Sequence, residues 1–221
     1  PATAWAAPTR PVDDDLDVYV IVTDGMNPGE LNPAQTPTLN RWADHGTRYI
    51  SAQAHMIAET LPNHAAMMTG VFPDRNGVPS NSIWDHAAGK DRTLDRADDL
   101  SYPTVLERVR VEAGLTTASV LSKDYLHDIF SGRASVQWAP FPLVPITDHS
   151  LDEFTVEALK RTVTEHNPRF TFVNLGDMDR FGHMDLTGYS LRAARNQAVW
   201  NSDHKLYQFE HFLRSTGRWE R

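Results

Sequence analysis

Residues 17–23, Asp17-Val18-Tyr19-Val20-Ile21-Val22-Thr23, form a nearly continuous β-branched run that stops at Asp24-Gly25. Such a run, without clean polar alternation, predicts a strand buried on both faces, as in a parallel sheet. Residues 169–175 repeat the pattern and stop at Gly176-Asp177. Between and after these runs the periodicity becomes helical. Thr36-Pro37-Thr38 opens a helix through about Asp44, and a second helix follows Thr60. Residues 104–112 read as a helix stopped by Gly114, residues 116–121 as a strand, and residues 151–165 and 190–215 as helices. Alternation of this kind predicts an α/β fold with a mostly parallel central sheet flanked by helices. Residues 71–85, 90–99 and 133–150 read as loops, from their Pro, Gly and charged residues.

At 221 residues, with 40% hydrophobic and 10% aromatic content, the chain can bury one substantial core. The reading divides it into a flexible segment, 1–16, and one α/β domain, 17–221. A formal charge of −8 argues against a nucleic-acid polymer as partner. With no cysteine, disulfides, thiolate metal sites and cysteine nucleophiles are excluded. No apolar run is long enough to span a bilayer. The small, Pro-rich opening 1–11 resembles the lead of a processed exported protein, which points to a secreted or periplasmic location, or else a frayed terminus.

In open α/β sheets ligands gather at the carboxyl ends of the strands. Asp24 stands at one such end and Asp179 just beyond another, so both can reach one site despite their separation in sequence. Asp179-Arg180-Phe181-Gly182-His183 sets a carboxylate and an imidazole four residues apart, with a glycine allowing a tight turn; that donor pair suits zinc. Thr60 precedes Leu61-Pro62-Asn63-His64, where its hydroxyl serves either as a helix N-cap or as a nucleophile. His64 and Asn63 read as groups holding the local backbone, and Asp177 and Asp185 as turn or supporting groups.

Taken together, Asp24-Gly25, Thr60 to His64 with Met68-Thr69-Gly70-Val71-Phe72-Pro73, and Asp179 to His183 resemble the type I phosphodiesterase/nucleotide pyrophosphatase branch of the alkaline phosphatase superfamily. The likeness implies an alkaline-phosphatase-like fold and two divalent metal ions, usually zinc. It also implies that Thr60 attacks phosphorus, that Asp24 and Thr60 hold one metal, and that Asp179 and His183 hold the other. Asn81 falls where the family has a donor to phosphate oxygen. The implied substrate is a small molecule carrying a phosphodiester or phosphoanhydride. A phosphonate or phosphomonoester hydrolase on the same scaffold is one alternative; an inactive metal- or phosphate-binding or interaction domain is another. The family also has a strand after the long helix, ending in Ser-Asp-His-Gly, and a later histidine. Residues 217–221 stand where that strand would begin, so an incomplete N-terminal portion of the catalytic domain is expected. Ser202-Asp203-His204-Lys205 only superficially matches the absent motif.

Overall fold

The structure, a computed structural model, describes residues 16–145, 148–184 and 186–220. The expected flexible segment lies outside the described residues except for Leu16, and so does Asp185. In chain order the elements are β1 (Val18–Thr23), α1 (Pro37–His45), α2 (Thr60–Thr69), α3 (Pro73–Asn76), β2 (Ser82–Asp85), β3 (Lys90–Thr93), α4 (Val105–Glu112), β4 (Thr117–Leu121), α5 (Asp124–Ile129), β5 (Val136–Trp138), α6 (Asp152–His166), β6 (Phe170–Leu175), α7 (Asp177–Gly182) and α8 (Gly188–Ser215). The main sheet is wholly parallel, in the order β1-β6-β4-β5; β2 and β3 form a separate antiparallel hairpin.

Alternation along β6 builds a core on each face of the sheet. Phe172 packs on one side with Leu61, Ala65, Met68, Leu106 and Phe130. Val173 and Leu175 pack on the other with Val156, Leu159, Leu206 and Phe209. Each fully buried large apolar side chain stabilises the fold by roughly 1.5–3 kcal/mol relative to its exposed state. Burial on both faces falls to β4 and β6, the inner strands. β1, expected to be buried on both faces, is an edge of the described sheet and is only partly covered. Its apolar run still divides by face, Val20 and Val22 toward the first core and Tyr19 and Ile21 toward the second.

Several short elements occupy stretches read as loops: α3 and β2 within 71–85, β3 within 90–99, and β5 within 133–150. α5 was not anticipated at all. These pieces are three to six residues long, and their order comes from pairing and packing partners distant in sequence, not from local periodicity.

Helix ends are closed by recognisable chemistry. Thr104 caps α4, its hydroxyl accepting from Glu107 N–H at 3.3 Å while the Glu107 carboxylate accepts from Thr104 N–H at 2.7 Å. Gly70 ends α2 in the left-handed conformation. α1 is capped from a distance. Asp203 of α8, 2% exposed, accepts from Thr38 N–H at 3.0 Å and Leu39 N–H at 2.9 Å. Its carboxylate thus neutralises the positive end of α1 and ties the two helices together. Asp203→Ala should leave both N–H groups unpaired and cost about 2 kcal/mol of unfolding free energy. Urea denaturation checks this; a loss below a few tenths of a kcal/mol would contradict it.

Candidate active site

β1, β6 and β4 are neighbours in the sheet, so the residues leaving their carboxyl ends emerge side by side. Asp24 leaves β1, and Asp179 sits on α7 just past β6. Lys123 leaves β4, one residue before α5 begins. The Lys123 ammonium lies 2.6 Å from Asp24 Oδ2 and 2.7 Å from Asp179 Oδ2, and 3.5 Å from Thr60 Oγ1. The lysine is completely buried. Sequence reading missed it, although the strand-exit logic that selects Asp24 applies equally to Ser122-Lys123 after residues 116–121.

Asp179 and His183 meet through helix geometry, not through a glycine turn as expected. α7 carries Asp179, and His183 caps its end, so the two are neighbours at i,i+4; His183 Nε2 lies 3.3 Å from Asp179 Oδ1. The nearby glycines answer to close packing. Gly25 has φ +73°, and a Cβ there would meet the Asp179 backbone at 2.8 Å. Arg195 of α8 donates to Gly25 O at 2.7 Å and Met178 O at 3.3 Å while pairing with Glu30. One guanidinium thereby fixes the two turns that present the carboxylates.

Thr60 is the first residue of α2, with Glu59 as N-cap, so its hydroxyl is not the cap that one sequence reading allowed. His64, one turn on, is buried, and burial lowers its pKa against the opposing pull of Asp24 and the Thr60 carbonyl. Its Nδ1 contacts Thr60 O at 2.8 Å and its Nε2 contacts Asn174 Nδ2 at 3.0 Å. The amide can only donate there, so Nε2 accepts and the proton is on Nδ1. Asn174 also donates to Asp24 Oδ2 at 3.3 Å and accepts from Ser122 Oγ at 2.7 Å. Burial raises the Asp24 pKa, but His64, Lys123 and Asn174 together hold it below the usual carboxylate value. The counter-charge hydrogen-bonded to Asp24 is Lys123. Burial alone would lower the Lys123 pKa; Asp24, Tyr125 and Asp179 reverse that, and the net shift is upward.

Thr60, Asp24, Asp179, His183 and Asn81 all line one cavity of about 600 Å³. Asn81 Oδ1 accepts from Leu61 N–H at 2.8 Å, leaving its NH₂ end for another acceptor, and its own N–H is held by the Glu59 carboxylate. Asn63 braces the preceding loop, accepting from His55 N–H and donating to Ile57 O and Glu59 O. Asp203, occupied at α1, takes no part. The donor types expected for a metal pair are therefore near one another. Yet no three His, Cys, Asp or Glu side chains form a metal-binding group among the described residues. The cation shared by Asp24 and Asp179 is an ammonium, and these residues do not by themselves fit a two-metal centre.

The fold and site define a parallel α/β protein with a helix-start threonine facing paired acidic groups at adjacent strand exits. Residues 18–220 match the profile of the type I phosphodiesterase / nucleotide pyrophosphatase family, and the chain belongs to that family. The family is hydrolytic and metal-dependent. A human relative, ectonucleotide pyrophosphatase/phosphodiesterase family member 5, is 27% identical over 82 residues, covering 37% of this chain and 17% of the relative. Murine ectonucleotide pyrophosphatase/phosphodiesterase 5 superposes with a TM-score of 0.72 at 19% identity, over 92% of this chain and 54% of that one. An inactive threonine-to-alanine form of the murine protein holds AMP, with a TM-score of 0.67 at 16% identity and the same coverage. Phosphonoacetate hydrolase from Sinorhizobium meliloti 1021 gives 0.70 at 20% identity, over 90% and 54%. The chain thus spans about half the length of these solved structures. Among the described residues no helix is long and apolar enough to cross a membrane.

Behind the site, Asp152 at the start of α6 is fully enclosed. Its Oδ1 accepts from Gly176 N–H at 2.8 Å and Asp177 N–H at 3.2 Å, and its Oδ2 takes the Ser202 hydroxyl of α8. Asp177 in turn accepts from Asp152 N–H at 3.1 Å and contacts His149 Nε2 at 2.9 Å. The network pins the turn between β6 and α7. Burial, then the neighbouring Asp177, pushes the Asp152 pKa from 3.8 up to about 7. Between those two values the folded chain holds a proton that the unfolded chain has released. The contribution to stability is therefore complete at low pH and declines as pH rises toward 7, by at most about 1.4 kcal/mol per pH unit. Asp152→Asn, which still accepts from Gly176 and Asp177, should remove this decline. Unfolding free energies from about pH 5 to 8 check it: the gap in favour of the variant should widen with pH, and parallel curves would refute the assignment.

Proposed function

We propose that the chain is the nucleophile-bearing part of an exported hydrolase that cleaves a phosphodiester or phosphoanhydride bond in a small phosphorylated substrate. The observation that carries this reading is the convergence of Thr60, Asn81, Asp24, Asp179 and His183 on one cavity, with Thr60 at a helix start. Family membership and the AMP-bound murine neighbour support the substrate class. Export is supported by the Pro-rich residues 1–11.

In this reading Thr60 Oγ loses its proton to solvent and forms a bond to phosphorus while the bond to the leaving oxygen breaks; that oxygen departs with the electron pair and takes up a proton from solvent. Water then attacks phosphorus, the Oγ–P bond breaks, the phosphate product leaves with the water's oxygen, and Oγ regains a proton. Lys123 donates toward Thr60 Oγ1, a charge that favours the attacking alkoxide. The free end of Asn81 donates to a phosphoryl oxygen. The N-terminal turn of α2 adds its partial positive charge to the transition state. His64, its Nδ1 against the Thr60 carbonyl, keeps the nucleophile's backbone in position. Of a divalent pair of the family's type, this chain's own donors would be Asp24 and Thr60 for one ion and Asp179 and His183 for the other. A second reading is phosphonate hydrolysis, favoured by the fold shared with phosphonoacetate hydrolase.

The test is release of nitrophenol from bis(4-nitrophenyl) phosphate, and of phosphate from phosphonoacetate, by the longest polypeptide its gene encodes. Thr60→Ala should abolish turnover and the trapped phosphothreonine detectable by mass spectrometry. Asn81→Ala should lower kcat by on the order of 10²-fold with the protein still folded. Turnover retained in Thr60→Ala would reject the nucleophile, and activity confined to phosphonoacetate would favour the second reading.

A further inference from the structure

Lys123 lies between Asp24 and Asp179, the two carboxylates that the family resemblance assigns to two different metal ions. Its ammonium has three N–H donors, and three oxygens surround it: Asp24 Oδ2 at 2.6 Å, Asp179 Oδ2 at 2.7 Å and Thr60 Oγ1 at 3.5 Å. The side chain is not a surface lysine that happened to fold inward. It is 0% exposed and is delivered by a strand exit whose backbone is fixed on both sides. Ser122 N–H donates to Asn174 O at 3.2 Å and Ser150 N–H to Ser122 O at 2.7 Å, while Lys123 itself bridges to His149. A zinc ion bound by the same oxygens would sit about 2.0–2.2 Å from them. It would then lie in contact with a buried ammonium of like charge.

We infer that Lys123 is the resident cation of this site, and that its ammonium in this place excludes a divalent metal from Asp24 Oδ2 and Asp179 Oδ2, the oxygens it holds. This rests on the reading of those carboxylates as the family's metal donors. A metal must therefore expel Lys123 toward the cavity, which lowers its affinity. The lysine holds the paired carboxylates together beside Thr60.

The experiment titrates Zn²⁺ alone, then Mn²⁺ alone, into chelator-stripped 221-residue chain, by calorimetry and thermal denaturation. Wild type is compared with Lys123→Met, which keeps the stem and removes the charge. Wild type should melt at the same temperature with and without metal. Lys123→Met should bind at least tenfold more tightly and melt higher when metal is added. If the variant is unfolded until metal is supplied and folds with it, the metal has replaced the ammonium, and the inference stands. Adding Asp24→Asn to Lys123→Met should erase the gain. Three results would overturn the inference: wild type binding as tightly as Lys123→Met; a variant that neither binds metal nor is rescued by it; or a gain that survives Asp24→Asn. Hydrolysis plays no part in these readouts, so a failure here leaves the Thr60 test independent.

Discussion

Two carboxylates at neighbouring strand ends repel one another and lose hydration as the fold closes over them. The buried ammonium of Lys123 answers both costs at once. Removing one partner from such an enclosed ion group is typically worth about 3–5 kcal/mol, because the survivor is left uncompensated. The arrangement depends on strand order. With β6 between β1 and β4, residues 24, 123 and 179 meet although they come from three separate parts of the chain.

The rest of the molecule holds those three exits in register. Phe172 on one side of β6, and Val173 and Leu175 on the other, lock the central strand between two helical layers. Polar groups then set the final orientation. Asn174, the β6 residue between Val173 and Leu175, joins His64, Asp24 and Ser122 in one buried network. Asp152 does the same for the Gly176–Asp177 turn, and Arg195 for Gly25 and Met178. A satisfied buried network of this kind has few alternative geometries, because each broken bond leaves an unpaired polar group. Precision at Thr60 therefore draws on residues such as Asn174, Asp152 and Arg195, which do not line the cavity.

The division of legibility follows from the range of the forces. Long elements announced themselves: the strand runs at 17–23 and 169–175, the capped helix at Thr104 and the helix after residue 151 all carry local pattern. Short pieces such as β5 and α5 do not, because three to six residues draw their order from distant neighbours. The edge position of β1 was equally hidden; an apolar run looks the same at the centre of a sheet and at its margin. Asp24, Thr60, Asp179 and His183 could be named because acid, hydroxyl and imidazole at strand and helix ends stand out against their surroundings; Asn81 came only from the family resemblance. Their common cavity could not be named, since strand order is a tertiary fact.

By itself, then, the sequence determined the parallel α/β class, the acids at strand ends and the threonine at a helix start, each written in local pattern and residue chemistry. Only the tertiary structure decided that Asp179 and His183 meet across a helical turn, that Asp203 serves α1 instead of the site, and that Lys123 stands between Asp24 and Asp179. A lysine following a strand looks like any surface lysine until the chain closes around it. What gives it meaning is the pair of negative charges that folding brings to its tip.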